Sequence, residues 1–386
     1  MNNRHHLFFS LVIIALIIKL SLFAFAAVHA PQGKLLPDSY GYLKLSTTLA
    51  STGAFATQNE NGALSYETFR TPGYPLFLAL FHGLMKIPLD GIVLLQVAVT
   101  LLTALIVYKT ALEIAPKIAF LSAVIILFDP PITIFSLTIL TESLFLLLIS
   151  IFMFSFTRYL KNRTVGPIVF SAIILAIATY VRPVSYYLGF AIAFFIIYAN
   201  RKEGLKRVFK HALIFILIVY SLLGIWQLRN YVRCHDLTFS SAGRENLSGK
   251  GLFKSYARNR DPYTKGMAPL PYYVNVSTRC AMSIMTRPGN LKYFKSDILT
   301  ATGKALAYPW MVFWMIGFIW GIIKMKRNIY LQMTLFIILY FTAASIGALL
   351  WDVGERLRVP MMPFIAIISA YGWIRLLRHC EEATEP

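Results

Sequence analysis

Charged residues are scarce in this sequence, since Asp, Glu, Lys and Arg together make up 14% of its 386 residues. A soluble domain usually carries about 25% charged residues, so this chain has too few to cover a water-exposed surface. Hydrophobic residues reach 57%. They form repeated apolar runs of roughly 17–25 residues, the length that crosses a bilayer. The composition therefore predicts an all-α integral membrane protein with many transmembrane helices.

Cysteine and the common cofactor motifs are also lacking. Three cysteines provide neither a disulfide scaffold nor the closely spaced ligand pairs of a zinc site. The sequence has no Walker A loop, Gly-rich dinucleotide fingerprint or His-Glu-x-x-His motif, which argues against ATP-powered transport. We predict no certain cofactor and leave a divalent cation open. Cys234 and Cys280 fall in one polar region, where a disulfide is an alternative to two free thiols.

Acidic residues are few, with 17 Asp and Glu against 37 Lys and Arg and a formal net charge of +20. The basic residues concentrate in loops between apolar runs, which is typical of the positive-inside bias and of contact with anionic headgroups. We therefore expect membrane lipids as partners and no nucleic acid.

The apolar runs predict about ten spans. They are placed at about 7–28, 92–112, 118–138, 143–160, 166–182, 185–200, 208–226, 306–323, 329–350 and 359–376. Their basic connections fall on one side if the short apolar segment at 76–85 lies along the interface instead of crossing. This arrangement predicts that both termini are cytoplasmic.

The spans and polar regions suggest three parts. Residues 1–225 form an N-terminal transmembrane module that contains an external loop at 29–91, residues 226–305 form a basic external region, and residues 306–386 form C-terminal helices with a short cytoplasmic tail. An external basic loop of this length is compatible with the charge rule, because long loops escape it.

Two carboxylates stand where apolar runs begin or end on the predicted outer side. Asp38 follows the first span, and Glu142 stands in Leu-Thr-Glu-Ser-Leu between two spans. A charge close to hydrocarbon is costly unless it is paired or used. One carboxylate could be a general base on an acceptor hydroxyl, and the other could hold an acceptor group or a cation. The alternative is a capping or first-turn role in a helix, which is compatible with catalysis.

Several arginines lie at the same predicted level, and guanidinium groups suit phosphate because their donors are planar and bidentate. Snorkelling to lipid headgroups is the alternative. The candidates for binding a donor phosphate are Arg70, Arg182, Arg356 and Arg358. The candidates for stacking on a sugar or acceptor are Tyr40, Tyr74 and Tyr263.

Taken in order, these motifs resemble the GT-C membrane glycosyltransferases, in particular the group of the protein O-mannosyltransferases and the lipid A aminoarabinose transferase. The match extends over about residues 1–375. Its parts are an Asp after the first span, Arg70-Thr-Pro-Gly-Tyr-Pro, Thr-Glu142-Ser-Leu-Phe, Val-Arg182-Pro, and Glu-Arg356-x-Arg358-x-Pro-x-x-Pro.

The resemblance implies that a sugar moves from a polyprenyl-phosphate donor to a lipid, glycan or protein acceptor on the outer face of the membrane. It implies Asp38 as the general base and Glu142 in the place of the second acidic residue of the family, a position that is often Asp. It also implies that Arg356 and Arg358 stabilise the leaving phosphate. A bacterial inner membrane with a periplasmic active site is the expected location.

Two other functions stay open. A flippase or transporter of lipid-linked sugars would place charges near the bilayer midplane, where Lys19 is the main candidate in this sequence. An O-antigen-type polymerase or ligase would use a diphosphate-linked donor and would not need Asp38.

Overall fold

The computed structural model describes residues 2–201, 204–245, 255–256, 264–287, 297–348 and 354–384. This part of the chain is almost entirely helical. Its helices are α1 (Asn2–His29), α2 (Pro37–Thr52), α3 (Gly73–Leu78), α4 (Leu89–Ile114), α5 (Ala119–Leu127), α6 (Pro130–Ser136), α7 (Glu142–Asn162), α8 (Val165–Val181), α9 (Leu188–Asn200), α10 (Leu205–Cys234), α11 (Ser241–Arg244), α12 (Pro269–Thr286), α13 (Asp297–Lys324), α14 (Ile329–Gly347), α15 (Gly354–Arg358) and α16 (Met362–Thr384).

Eight helices of the described residues are long and apolar enough to cross a membrane, and a bent pair, α5 with α6, makes a ninth candidate. The remaining predicted span corresponds to α8, an apolar helix of 17 residues. The predicted class, an all-α polytopic membrane protein, is confirmed.

The span predicted at 118–138 is broken, and its two halves are bent by 53°. The sequence Asp129-Pro130-Pro131 explains the break, because proline cannot donate a backbone hydrogen bond to the preceding turn. The Asp129 side chain caps the second half by accepting a hydrogen bond from the Ile132 N–H at 3.0 Å. A polar residue is thereby placed inside a predicted span.

The predicted external loop at 29–91 is folded. Helix α2 is followed by a two-stranded antiparallel hairpin, β1 (Ala56–Gln58) and β2 (Leu64–Tyr66), in which Ala56 pairs with Tyr66. Helix α3 continues into a π-helical turn at Ala79–Leu84, and this apolar stretch is too short to be a candidate span. The interfacial interpretation of the segment at 76–85 fits this length.

Helices α13 and α16 pack at backbone distance, and the short helix α15 forms the start of the last candidate span, Gly354–Arg378. A Cβ atom at Gly372 would lie 1.8 Å from the carbonyl oxygen of Gly317, so only glycine fits this crossing.

The thiols of Cys234 and Cys280 are both free, and Cys280 is buried.

Candidate active site

Asp38 lies in the first turn of α2, after Pro37 at the start of the helix. Its carboxylate is favoured there by the helix dipole. The neighbouring Ser39 fixes this turn, because its hydroxyl donates to the carbonyl of Ile139 at 2.8 Å and accepts from the N–H of Leu36 at 2.9 Å. The Asp38 side chain remains 45% exposed, so it is accessible to a second molecule.

Glu142 lies in the first turn of α7 and is fully buried. A buried charge must be paired and hydrogen-bonded. Two guanidinium groups meet this need at the same oxygen, Oε1, which accepts from Nη1 of Arg182 at 3.1 Å and from Nε of Arg356. The other oxygen accepts from the hydroxyl of Thr141 at 3.3 Å.

Arg356 joins the two carboxylates. While its Nε donates to Glu142, its Nη1 donates to Oδ2 of Asp38 at 2.8 Å. Asp38 and Arg356 are 318 positions apart in the chain, so only the fold can make this contact. The structure thus assembles four of the candidate residues, including Arg182, into one cluster of two carboxylates and two guanidinium groups.

Arg70 lies beside this cluster. Its Nη1 pairs with Glu67 at 3.0 Å, and its Cζ lies 5.6 Å from the ring centre of Tyr42. The guanidinium lies flat against Gly41, where a Cβ atom would approach Cζ to 2.4 Å. The contact therefore requires glycine at position 41.

Tyr42 is a site residue that the sequence interpretation missed. Burial raises the pKa of its hydroxyl, and the negative charges of Glu142 and Asp38 raise the pKa further. Its position one helical turn after Asp38 was the available signal, because residues four apart lie on one face of a helix.

The candidate tyrosines differ in exposure. Tyr40 is 59% exposed. Tyr74 is fully buried, its hydroxyl donates to Gln96 at 2.7 Å, and its ring meets the ring of Tyr42 edge to face at 5.2 Å. Tyr74 therefore supports Tyr42 from inside and does not face the open side of the site. Tyr263 lies outside the described residues.

Arg358 makes its contacts away from the carboxylate cluster. It is 1% exposed, and its Nη1 donates to the carbonyls of Ile284 at 2.9 Å and Met285 at 3.2 Å near the end of α12. Its Cζ lies 5.4 Å from the ring centre of Trp314. These contacts satisfy carbonyls that a helix end leaves without partners.

A divalent cation would need several oxygen ligands. Among the described residues, no group of three or more His, Cys, Asp or Glu side chains is close enough to hold a metal ion. The guanidinium of Arg356 bridges Asp38 and Glu142. The carboxylates are therefore arranged around an arginine, which does not fit a cation held by these two side chains alone.

Part of the chain matches a known family. Residues 70–226, less than half of the sequence, match the family model described as dolichyl-phosphate-mannose-protein mannosyltransferase. This range contains Arg70, Glu142 and Arg182, and it excludes Asp38 and Arg356. No curated protein matches the chain at a significant level.

The fold is similar to that of solved membrane enzymes. The oligosaccharyltransferase of Archaeoglobus fulgidus in the apo form superposes with a TM-score of 0.56 and 14% identity, over 97% of this chain and 52% of that one. The archaeal enzyme AglB from the same organism, in complex with an inhibitory peptide and a dolichol-phosphate, gives 0.53 and 13%, over 95% and 52%. The chain thus spans about half the length of these proteins.

A third structure, ArnT from Cupriavidus metallidurans bound to undecaprenyl phosphate, gives a TM-score of 0.45 and 10% identity, over 96% of this chain and 79% of that one. This overlap is too low to support an argument of its own. The resemblance to the GT-C membrane enzymes is confirmed by the family match and by the shared fold with the oligosaccharyltransferase.

Proposed function

We propose that this protein is a membrane glycosyltransferase that moves a sugar from a polyprenyl-phosphate donor to a lipid, glycan or protein acceptor. We place the reaction at the outer face, which would be the periplasmic face of a bacterial inner membrane. The observation that carries the proposal is the cluster of Asp38, Glu142, Arg182 and Arg356, which unites an accessible carboxylate with two guanidinium groups.

Asp38 is the general base of this proposal. Its exposed carboxylate accepts the proton of an acceptor hydroxyl. The acceptor oxygen then forms a bond to the anomeric carbon of the sugar, while the bond from that carbon to the phosphate oxygen breaks. The electron pair of the broken bond leaves with the polyprenyl phosphate, which gains one negative charge.

Arg356 links proton transfer at Asp38 to departure of the phosphate. Negative charge disappears from Asp38 as it develops on the phosphate, and the same guanidinium can stabilise both. Before transfer its Nη1 pairs with ionised Asp38. When Asp38 takes the proton it becomes neutral, and the guanidinium can then stabilise the charge that develops on the phosphate. Buried Glu142 holds Nε of Arg356, so the guanidinium stays in place while its second partner changes.

Arg182 and Arg70 supply further positive charge. Arg182 contacts Glu142 through Nη1, and a guanidinium has five N–H donors, so this side chain can also donate to a phosphate. Arg70 pairs with Glu67 next to Tyr42. We assign it to the donor side of the site, as the sequence predicts.

The test uses purified protein in lipid nanodiscs with a panel of polyprenyl-monophosphate sugars and a lipid extract as acceptor. Release of free polyprenyl phosphate is measured. Wild type should turn over one donor, and Asp38→Asn should lose this turnover while folding normally. Asp90→Asn is the matched control, since Asp90 is also in the first turn of a helix, half-exposed and paired with a basic residue, Lys34.

Full turnover by Asp38→Asn would overturn the assignment of the base. Turnover of diphosphate-linked donors alone would favour a polymerase or ligase. Movement of an intact lipid-linked sugar across the bilayer without release of polyprenyl phosphate would favour a transporter.

A further inference from the structure

A second group of charged side chains is buried at the break between α5 and α6. Lys19, Asp129 and Arg358 are each 1% exposed, and Glu355 is 4% exposed. The Nζ of Lys19 donates to the hydroxyl of Thr133 at 2.8 Å. Chemistry at Asp38 uses none of these groups. Since buried charges are expensive to desolvate, their presence calls for a role.

Helix packing brings this group together, because α15, which carries Arg358, contacts α6, which Asp129 caps. Asp129 lies within electrostatic reach of both Lys19 and Arg358, and Arg358 lies within reach of Glu355. Within the described residues, Oδ2 of Asp129 and Nε of Arg358 have no hydrogen-bond partner. Each cation is therefore balanced at longer range, and loss of one charge would disturb the others.

The group connects the two halves of the site. Asp129 starts α6, which leads to the segment at 137–141. That segment supports Asp38 through the hydrogen bond from Ser39 to Ile139, and it ends at Glu142. On the other side, Arg358 lies in the same short helix as Arg356. The contact of α15 with α6, where Asp129 and Arg358 are both buried, thus joins the element that leads to the carboxylates to the element that carries the bridging guanidinium.

We propose that Lys19, Asp129 and Arg358 are positioning residues that set Arg356 against Glu142. Asp129 attracts Arg358 towards α6, and Lys19 offsets the rest of the negative charge from the side of α1. The predicted effect on turnover rests on the proposed glycosyltransferase activity. The predicted effect on thermal stability does not depend on it.

The first experiment needs no substrate. Thermal unfolding in nanodiscs is measured for wild type, Asp129→Asn, Arg356→Gln and the double variant. If Asp129 positions Arg356, the double variant should lose clearly less stability than the sum of the single losses, because the second change removes a contact that is already weakened. Additive shifts in Tm, to within about 2 °C, would overturn the proposal.

The second experiment separates positioning from a purely structural role. Asp129→Asn should lower kcat at saturating donor by about tenfold or more, because small displacements of catalytic groups are costly, with little change in KM. The double variant Lys19→Met with Asp129→Asn removes both opposite charges and should regain thermal stability without regaining kcat. The control is Lys161→Met, which removes a lysine from an exposed ion pair with Glu113.

Recovery of kcat together with stability in the Lys19→Met, Asp129→Asn variant would overturn the positioning role, and so would unchanged kcat in Asp129→Asn. If wild type turns over no donor, the proposed function fails, and the thermal cycle alone decides the inference.

Discussion

The bridging role of Arg356 makes a sharp prediction for Arg356→Lys. Arginine contacts two carboxylates from two different nitrogens, Nε to Glu142 and Nη1 to Asp38. Lysine keeps the charge but carries a single ammonium group on a flexible stem, so it cannot span both partners in the same geometry. We expect the contact to buried Glu142 to be kept and the contact to Asp38 to be lost.

The expected size follows from the loss of the Nη1 donor, which in the proposed mechanism stabilises the developing phosphate charge once Asp38 has taken the proton. A hydrogen bond to a charged group contributes about 1.5–3 kcal/mol. If this stabilisation is used in the transition state, kcat should fall roughly 10- to 100-fold. Release of polyprenyl phosphate at saturating donor is the assay, and thermal unfolding reports whether the variant is folded.

Arg182→Lys is the matched control. Arg182 makes one ion pair with Glu142, through Nη1 at 3.1 Å, which an ammonium group can replace. Its kcat should therefore fall much less than that of Arg356→Lys. Equal loss in both variants, or wild-type kcat in Arg356→Lys, would refute the bridging argument.

Two further predictions concern the edge of the site. Gly41→Ala should fold, because the obstructing atoms belong to the flexible Arg70 side chain. It should lower turnover and raise the donor KM, because the added methyl group displaces that guanidinium. Thermal unfolding and the donor KM check this, and an unchanged KM would count against Arg70 as a donor contact. Tyr42→Phe should leave the alkaline limb of the pH–rate profile unchanged. The pKa of Tyr42 is raised, so its hydroxyl stays neutral over the pH range in which an ordinary tyrosine begins to ionise. A shift of that limb in the variant would contradict this.

The spans and the partners in the site were predictable to different degrees. Apolar length alone places most of the helices, and the cost of a charge near hydrocarbon singles out Asp38, Glu142 and Lys19. The sequence cannot tell which of Arg356 and Arg358 meets the carboxylates. Residues two apart on a helix point about 200° apart, so the two arginines face different neighbours, and only the tertiary packing decides which.

The broken span shows a different limit. Asp129-Pro130-Pro131 is a visible interruption of a helix, yet the mostly apolar run at 118–138 has the length of one continuous span. Length and hydropathy cannot reveal that Lys19 of α1 donates a hydrogen bond to Thr133 in the second half of the broken span. Thr133, the partner of Lys19, lies 114 positions away in the chain, so no local pattern identifies this contact.

The attachment of both carboxylates to one segment has a mechanical consequence. Ile139 accepts from the Ser39 hydroxyl and donates its N–H to the carbonyl of Lys34 at 2.8 Å, and Glu142 follows three residues later. The segment around Ile139 therefore links the turn of Asp38 to the turn of Glu142. We therefore expect any displacement of α15 to change the distance from Arg356 to both carboxylates, while the spacing of the two carboxylates stays constant.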